Sequence, residues 1–171
     1  SSFPINNIKR FDNKKSYLDM CSAPGGKAFQ ILSRGVEVSL YDKSKSRIKI
    51  LKENLKRLNF NAEVINNDAL NISKKYDFII VDAPCTAIGT IRRNPEIFFK
   101  SNKPDLKKLL VIQEKLLIKA ADLLNMGGII LYMVCSFLKI ETNDQINNFL
   151  EKRKDFKIST FPLLNNQIAN P

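Results

Sequence analysis

Two patterns alternate along this chain: short apolar runs rich in β-branched and aromatic residues, and longer stretches in which apolar positions recur at helical spacing. The first run, Ser16–Met20, predicts a strand. A Gly-containing turn follows, then an amphipathic segment, Lys27–Ser33, with Ala28, Ile31 and Leu32 on one side. Val36, Val38 and Leu40 predict a second strand ending in Tyr41-Asp42. Lys43–Leu58 reads as a helix with Ile48, Leu51, Leu55 and Leu58 on one face and lysines on the other, stopped by Asn59. Ala62–Ile65 predicts a third strand leading to Asn67-Asp68-Ala69. Tyr76–Val81 predicts a fourth, and its unbroken Phe78–Val81 run suits a parallel strand buried on both faces.

A long loop, Thr86–Pro104, comes next, and loops of that length in compact domains are usually functional. Asp105 is placed to cap a helix reaching Leu124, with Asn125-Met126-Gly127-Gly128 as its stop. Ile129–Val134 predicts a fifth strand, Thr142–Lys152 a helix, and Phe156–Phe161 a sixth strand. Residues 1–15 read as an irregular, loose lead-in and residues 163–171 as a patternless tail, which leaves one domain over 16–162. Strands alternating with helices define an α/β class with a doubly wound, mostly parallel sheet. Ligands of such sheets bind beyond the carboxyl ends of the strands. Six polar residues fall there: Cys21, Asp42, Asp68, Asp82, Cys85 and Cys135. A single Asp in such a place is more often a helix cap, and a single Cys more often a core residue; six at successive strand ends are harder to dismiss.

Composition narrows the chemistry. The 171 residues are 44% hydrophobic and 26% charged, enough for one real core, and carry no run long enough for a membrane span and no signal or transit peptide. A net charge of +11 favours an anionic partner, with nucleic acid first, although lysine is abundant throughout the chain. With no histidine, proton transfer must use carboxylates, thiols, lysines or water. Three cysteines without metal spacing suit reduced thiols in a cytoplasmic protein without a metal site.

The turn Cys21-Ser22-Ala23-Pro24-Gly25-Gly26-Lys27 joins a strand to a helix start, an arrangement in which free N–H groups can face a small molecule. It has neither the G-x-G-x-x-G spacing of dinucleotide sites nor the ending of a P-loop. Asp42 is placed to accept from ribose hydroxyls and Asp68 to meet an adenine amino group. This fits a nucleoside ligand without phosphates, and the missing dinucleotide spacing favours S-adenosylmethionine over a nicotinamide cofactor. Two thiols at adjacent strand ends then suggest pyrimidine chemistry. A thiolate added to C6 makes C5 nucleophilic enough to take a methyl group, and nearby positive charge or local dipoles should lower that thiol's pKa.

Met20–Lys27, Asp82–Glu96 and Cys135-Ser136 together resemble the Sun (Fmu, or NOL1/NOP2/Sun) family of S-adenosylmethionine-dependent RNA cytosine-C5 methyltransferases, most nearly its bacterial small-subunit ribosomal RNA branch. The likeness covers about residues 17–160 and implies a Rossmann-like methyltransferase fold. It implies that Cys21, Ser22, Ala23, Pro24, Gly25, Gly26 and Lys27 hold the cofactor, with Asp42 at its ribose, Asp68 at its adenine and Asp82 at its methionine end. Cys135 takes the place of the nucleophile, Cys85 that of the second cysteine that helps release product, and Arg92 and Arg93 that of a basic pair meeting RNA, for which a solvated loop pair is the equal alternative. The implied partner is ribosomal RNA; oligomeric state is not implied.

Departures are visible. Thr86-Ala87-Ile88-Gly89 replaces the usual Ser-Gly-Thr-Gly, which should stiffen the cysteine loop, and Val134 replaces a Thr. The upstream RNA-binding domain and the last antiparallel strand of the family are not in this sequence. The expectation is therefore a catalytic-domain fragment, with an inactive RNA- or cofactor-binding remnant as the alternative.

Overall fold

The computed structural model describes Ile5, Ile8 and residues 11–99 and 104–159. Five strands, β1 (Tyr17–Asp19), β2 (Ser39–Tyr41), β3 (Val64–Ile65), β4 (Tyr76–Asp82) and β5 (Leu124–Met133), form one sheet in the order β3-β2-β1-β4-β5. Every pairing is parallel. The helices are α1 (Ala28–Leu32), α2 (Lys45–Arg57), α3 (Leu106–Leu123) and α4 (Asn143–Lys152).

Residues alternate between the two faces of the sheet, and each face acquires its own core. Tyr17, Leu40, Phe78 and Ile80 pack with Ala28 and Ile31 of α1 and Leu51 and Leu55 of α2. Leu18, Ile79 and Val81 pack with Leu116, Ala120 and Leu123 of α3. Leu18, Leu51, Ile79 and Ile80 are fully buried, each contributing roughly 1.5–3 kcal/mol of hydrophobic stabilisation. The continuous apolar run of β4 is explained by this two-sided burial. α4 adds Phe149, which packs on Leu117 and Ala121 of α3. Asp105 caps α3 by accepting from the Lys108 N–H, as the sequence suggests, and Ser44 likewise caps α2 by accepting from the Arg47 N–H.

Strand order reverses between β1 and β4, which opens a crevice above the carboxyl ends of the central strands. At the opposite end, Asp77 accepts from the N–H and hydroxyl of Ser16, both at 2.8 Å, and from Asn125 Nδ2 at 2.9 Å. That carboxylate ties the starts of β1, β4 and β5 together.

Three expectations need correction. α3 does stop before Asn125-Met126-Gly127-Gly128, but the fifth strand starts at Leu124 and not at Ile129: these residues lie in β5, because Leu124 pairs with Tyr76 across a register shift before the regular Phe78–Ile129 pairing begins. Gly128 is required there, since a Cβ would stand 2.8 Å from the Asp77 carbonyl oxygen. The described part of the expected sixth strand, Phe156–Ser159, pairs with nothing among the described residues; Phe156 instead packs edge-on against Phe149 under Arg153. Thr160 and Phe161 lie outside the described residues, as does the tail 163–171. The lead-in is also not loose throughout: Ile5 is fully buried, with Ile8 and Phe11 packed beside it on the sheet.

Candidate active site

The Gly-containing turn is held mainly by β2 and α2. Ser22 donates its N–H and its hydroxyl to the Tyr41 carbonyl at 2.9 and 3.0 Å. Ala23 donates its N–H to Asp42 Oδ2 at 3.2 Å, and Ser44 its N–H to Asp42 Oδ1 at 2.9 Å. Arg47 donates to the Ala23 carbonyl and lies 3.5 Å from the same Asp42 carboxylate. Asn54 reaches the Pro24 carbonyl. Gly25 has φ of +111°, and a Cβ there would stand 2.0 Å from the Phe29 ring, so no other residue fits. A Cβ at Gly26 would meet nothing within 4 Å, so that side of the turn is open. The helix that follows the turn, α1, is only five residues long.

Asp42 is 3% exposed. Asp68 caps a single turn of 3-10 helix, Ala69–Asn71, by accepting from the Leu70 N–H at 3.0 Å. Lys27 and Asp82 form an ion pair, both side chains largely sheltered, that joins the turn to the end of β4. Asp19 is 1% exposed and, among the described residues, accepts only from the Cys21 N–H, at 3.2 Å. Burial, reinforced by the neighbouring Asp82, pushes its carboxyl up to about 7. Burial also pushes the Cys21 thiol up, to about 12, with Asp19 adding to the effect, so Cys21 stays protonated and contributes shape and backbone rather than nucleophilicity.

The two remaining cysteines meet across β4 and β5. The Cys135 N–H donates to Cys85 Sγ at 3.2 Å, and the Gly89 N–H donates to the Cys135 carbonyl at 3.0 Å. Gly89 eases that approach, since a Cβ would stand 3.1 Å from the Cys135 oxygen and the backbone would have to give by a few tenths of an ångström. Ala87, between them, sits in the left-handed region at φ 56°, ψ 18°. Burial raises the Cys85 thiol, while N–H groups of Ala87 and Cys135 pull it back in part. Lys27, Asp82 and Cys135 line one cleft of about 400 Å³, whose lining also includes Asn143 and Ile146 of α4. Lys27 of the turn, Asp82 at the end of β4 and Cys135 thus face a common space.

Buried Glu141, at the end of a short turn over Lys139–Glu141, braces the cysteine loops. It accepts from the Thr86 N–H at 2.9 Å, the Thr86 hydroxyl at 2.5 Å and Gln113 Nε2 at 3.0 Å. Burial pushes this carboxyl up, but donors on Ser136, Thr86 and Gln113 outweigh it and hold it below the ordinary glutamate range. Arg92 and Arg93 are exposed on the loop after Thr90, and their side chains touch no partner among the described residues.

Sequence reading thus located the turn, the strand-end aspartates and both cysteines, but passed over Asp19, Arg47, Gln113 and Glu141. A charge inside the buried strand β1 was the available signal for Asp19. Arg47 looked like one more cation on a lysine-covered helix. Nothing local marks Gln113 or Glu141, whose partners are far away in sequence.

Strand order 3-2-1-4-5, helices on both faces and a crevice at the reversal define the Rossmann-like fold of S-adenosylmethionine-dependent methyltransferases. The solved structures agree. NSun6 from Pyrococcus horikoshii with SFG matches at a TM-score of 0.81 and 26% identity, over 95% of this chain and 44% of that one. The protein PH0851 matches at 0.76 and 31% identity, over 81% of this chain and 33% of that one. The chain belongs to the 16S rRNA methyltransferase RsmB/F family, whose model matches residues 8–171. Among curated relatives, the ribosomal RNA small subunit methyltransferase B of Shewanella oneidensis is 39% identical over 150 residues, 84% of this chain and 35% of that protein. Its namesake from Photorhabdus laumondii is 38% identical over 154 residues, 86% of this chain and 36% of that protein. The chain therefore spans about a third of the length of the curated relatives it matches. No helix among the described residues is long and apolar enough to cross a membrane, and no metal-binding cluster occurs among them.

Proposed function

We propose that this chain carries the catalytic centre of an S-adenosylmethionine-dependent RNA methyltransferase that methylates C5 of a cytosine, in ribosomal RNA, through a covalent cysteine adduct. The observation that carries this reading is the cleft shared by Lys27, Asp82 and Cys135, with Cys85 against the Cys135 backbone. Family membership and the neighbour solved with the S-adenosylmethionine analogue SFG support it.

The residues fit a cationic nucleoside. The turn 21–27 has an open side at Gly26, buried Asp42 stands at the end of β2 for a ribose, Asp68 follows β3 for an adenine, and Asp82 faces the cleft for the methionine end. When bound, S-adenosylmethionine supplies the methyl group as a sulfonium. The Cys135 thiolate adds to C6 of the base, and the C5–C6 π electrons become the nucleophile at C5. After C5 is methylated and its proton lost to a base, the C6–S bond breaks, its electrons return to the thiolate, and the double bond re-forms. Cys85 is placed beside Cys135 to assist that release. Arg92, Arg93 and the general excess of lysine contact the RNA backbone, so binding weakens with salt, and the target base is unstacked or lies in a loop.

RNA containing 5-fluorocytosine tests the assignment. The wild-type chain should form a covalent adduct with it, and Cys135→Ala should abolish the adduct. An adduct that survives Cys135→Ala but disappears in Cys85→Ala reverses the two roles. Calorimetry with S-adenosylhomocysteine tests the cradle separately: binding without methyl transfer favours an inactive remnant, and no binding removes the cofactor assignment.

A further inference from the structure

Glu141 is fully buried and, among the described residues, has no Lys or Arg partner. Its partners share one property. Thr86 follows Cys85, and Ser136 follows Cys135. Gln113, which donates to Glu141 at 3.0 Å, uses the same nitrogen to donate to the Pro84 carbonyl at 2.9 Å, on the other side of Cys85. Each side chain that donates to this carboxylate therefore belongs to, or also holds, a chain neighbour of a cysteine. The turn bearing Glu141 is itself fixed to β5, because the Tyr132 hydroxyl donates to the Glu141 carbonyl at 3.0 Å. Between the cysteines the backbone passes through Ala87 in a left-handed conformation, which persists only where surrounding contacts over-determine it.

A buried carboxylate is an expensive way to fill space, since an apolar side chain of similar volume would do so without desolvation. Its geometry instead fixes two loops relative to each other. We propose that Glu141 is a positioning residue: it holds the Cys85 loop against the Cys135 loop so that release of the methylated base follows methyl transfer. This rests on the roles assigned above to the two cysteines.

The test uses unmodified small-subunit ribosomal RNA transcribed with ordinary cytosine, S-adenosylmethionine and the full chain. Adducts are counted by denaturing gel and intact mass. Cys85→Ala provides the reference and should accumulate the adduct. Glu141→Ala should accumulate it too, with multiple turnover falling on the order of 100-fold, the loss expected from a displacement of about 1 Å, while the first methyl transfer stays within a few-fold. Glu141→Gln should recover much of the turnover, because its amide oxygen can still accept from the Thr86 N–H. A purely structural role would lower the first transfer and the later turnovers together and leave no adduct. If Glu141→Ala does not fold by circular dichroism, Thr86→Val decides, since it removes only the hydroxyl donor. Should Cys85→Ala accumulate adduct while the folded Glu141 and Thr86 variants release product normally, the positioning role is overturned. Should Cys85→Ala accumulate none, the roles of the cysteines fall, and this inference with them.

Discussion

Two buried carboxyl groups lie on the same rim of the sheet and behave in opposite ways. Asp19, on the cofactor side, is 1% exposed; Glu141, on the cysteine side, is 0% exposed. Asp19 has one backbone donor and faces Asp82, and its pKa rises to about 7. Glu141 has donors on three residues, and its pKa falls below the ordinary value. Burial disfavours charge in both; at Asp19 the Asp82 charge adds to it, whereas at Glu141 the donors on three residues outweigh it. The cofactor side keeps a carboxyl poised between two charge states, whereas the cysteine side keeps a permanent anion as a brace.

That contrast can be broken most directly by the pH dependence of stability. For Asp19 the folded pKa lies above the unfolded 3.8, so the folded state binds more protons between about pH 4 and 7 and stability falls as pH rises through that window. The rise corresponds to roughly 4 kcal/mol at about 1.4 kcal/mol per pH unit. Asp19→Asn, which mimics the protonated group, should remove most of this slope and be the more stable form at pH 8, by urea denaturation. A slope unchanged in the variant would place the titration elsewhere.

Glu141 has the reverse sign. Its lowered pKa gives stability that is present above the unfolded pKa of about 4.5 and lost as pH falls through the folded value. Glu141→Ala should cost about 3 kcal/mol at neutral pH, because the Thr86 N–H and the Gln113 amide lose their buried acceptor. A loss under about 0.5 kcal/mol, the range of ordinary surface substitutions, would mean the brace carries little.

Asp42 separates the two sides functionally. Asp42→Ala removes the acceptor for the Ala23 and Ser44 N–H groups and should weaken S-adenosylhomocysteine binding about 10- to 100-fold by calorimetry. It should leave the Cys85–Cys135 contact intact, which thiol alkylation can check. The smallest effect belongs to the far end of the sheet. Asp77→Ala should cost about 1 kcal/mol or less, as solvent screens the group, with no change in cofactor affinity.

What could be read from the sequence follows the same division. Asp42, Asp82, Cys85 and Cys135 each end a strand or follow one within three residues, so periodicity that locates the strand also narrows down the residue. The strand itself was harder to bound where pairing overrules local preference. Asn125–Gly128 has every mark of a helix stop, yet lies in β5 because Asp77 accepts from Asn125 and only a glycine at 128 clears the Asp77 carbonyl. Glu141 sits in Lys139-Ile140-Glu141-Thr142, which reads as a solvated turn; its burial depends on Thr86, 55 residues away, and on Gln113, 28 away. Groups brought together across such separations leave no local periodic trace.

Ala87 stores a local conformational cost between the two cysteines. A side chain with a Cβ pays about 1–2 kcal/mol to adopt the left-handed form, and the Gly89–Cys135 hydrogen bond is one of the contacts that keeps it there. Breaking that bond removes one of the contacts that offset the cost, so the left-handed angles of Ala87 and the seating of Gly89 on Cys135 are coupled.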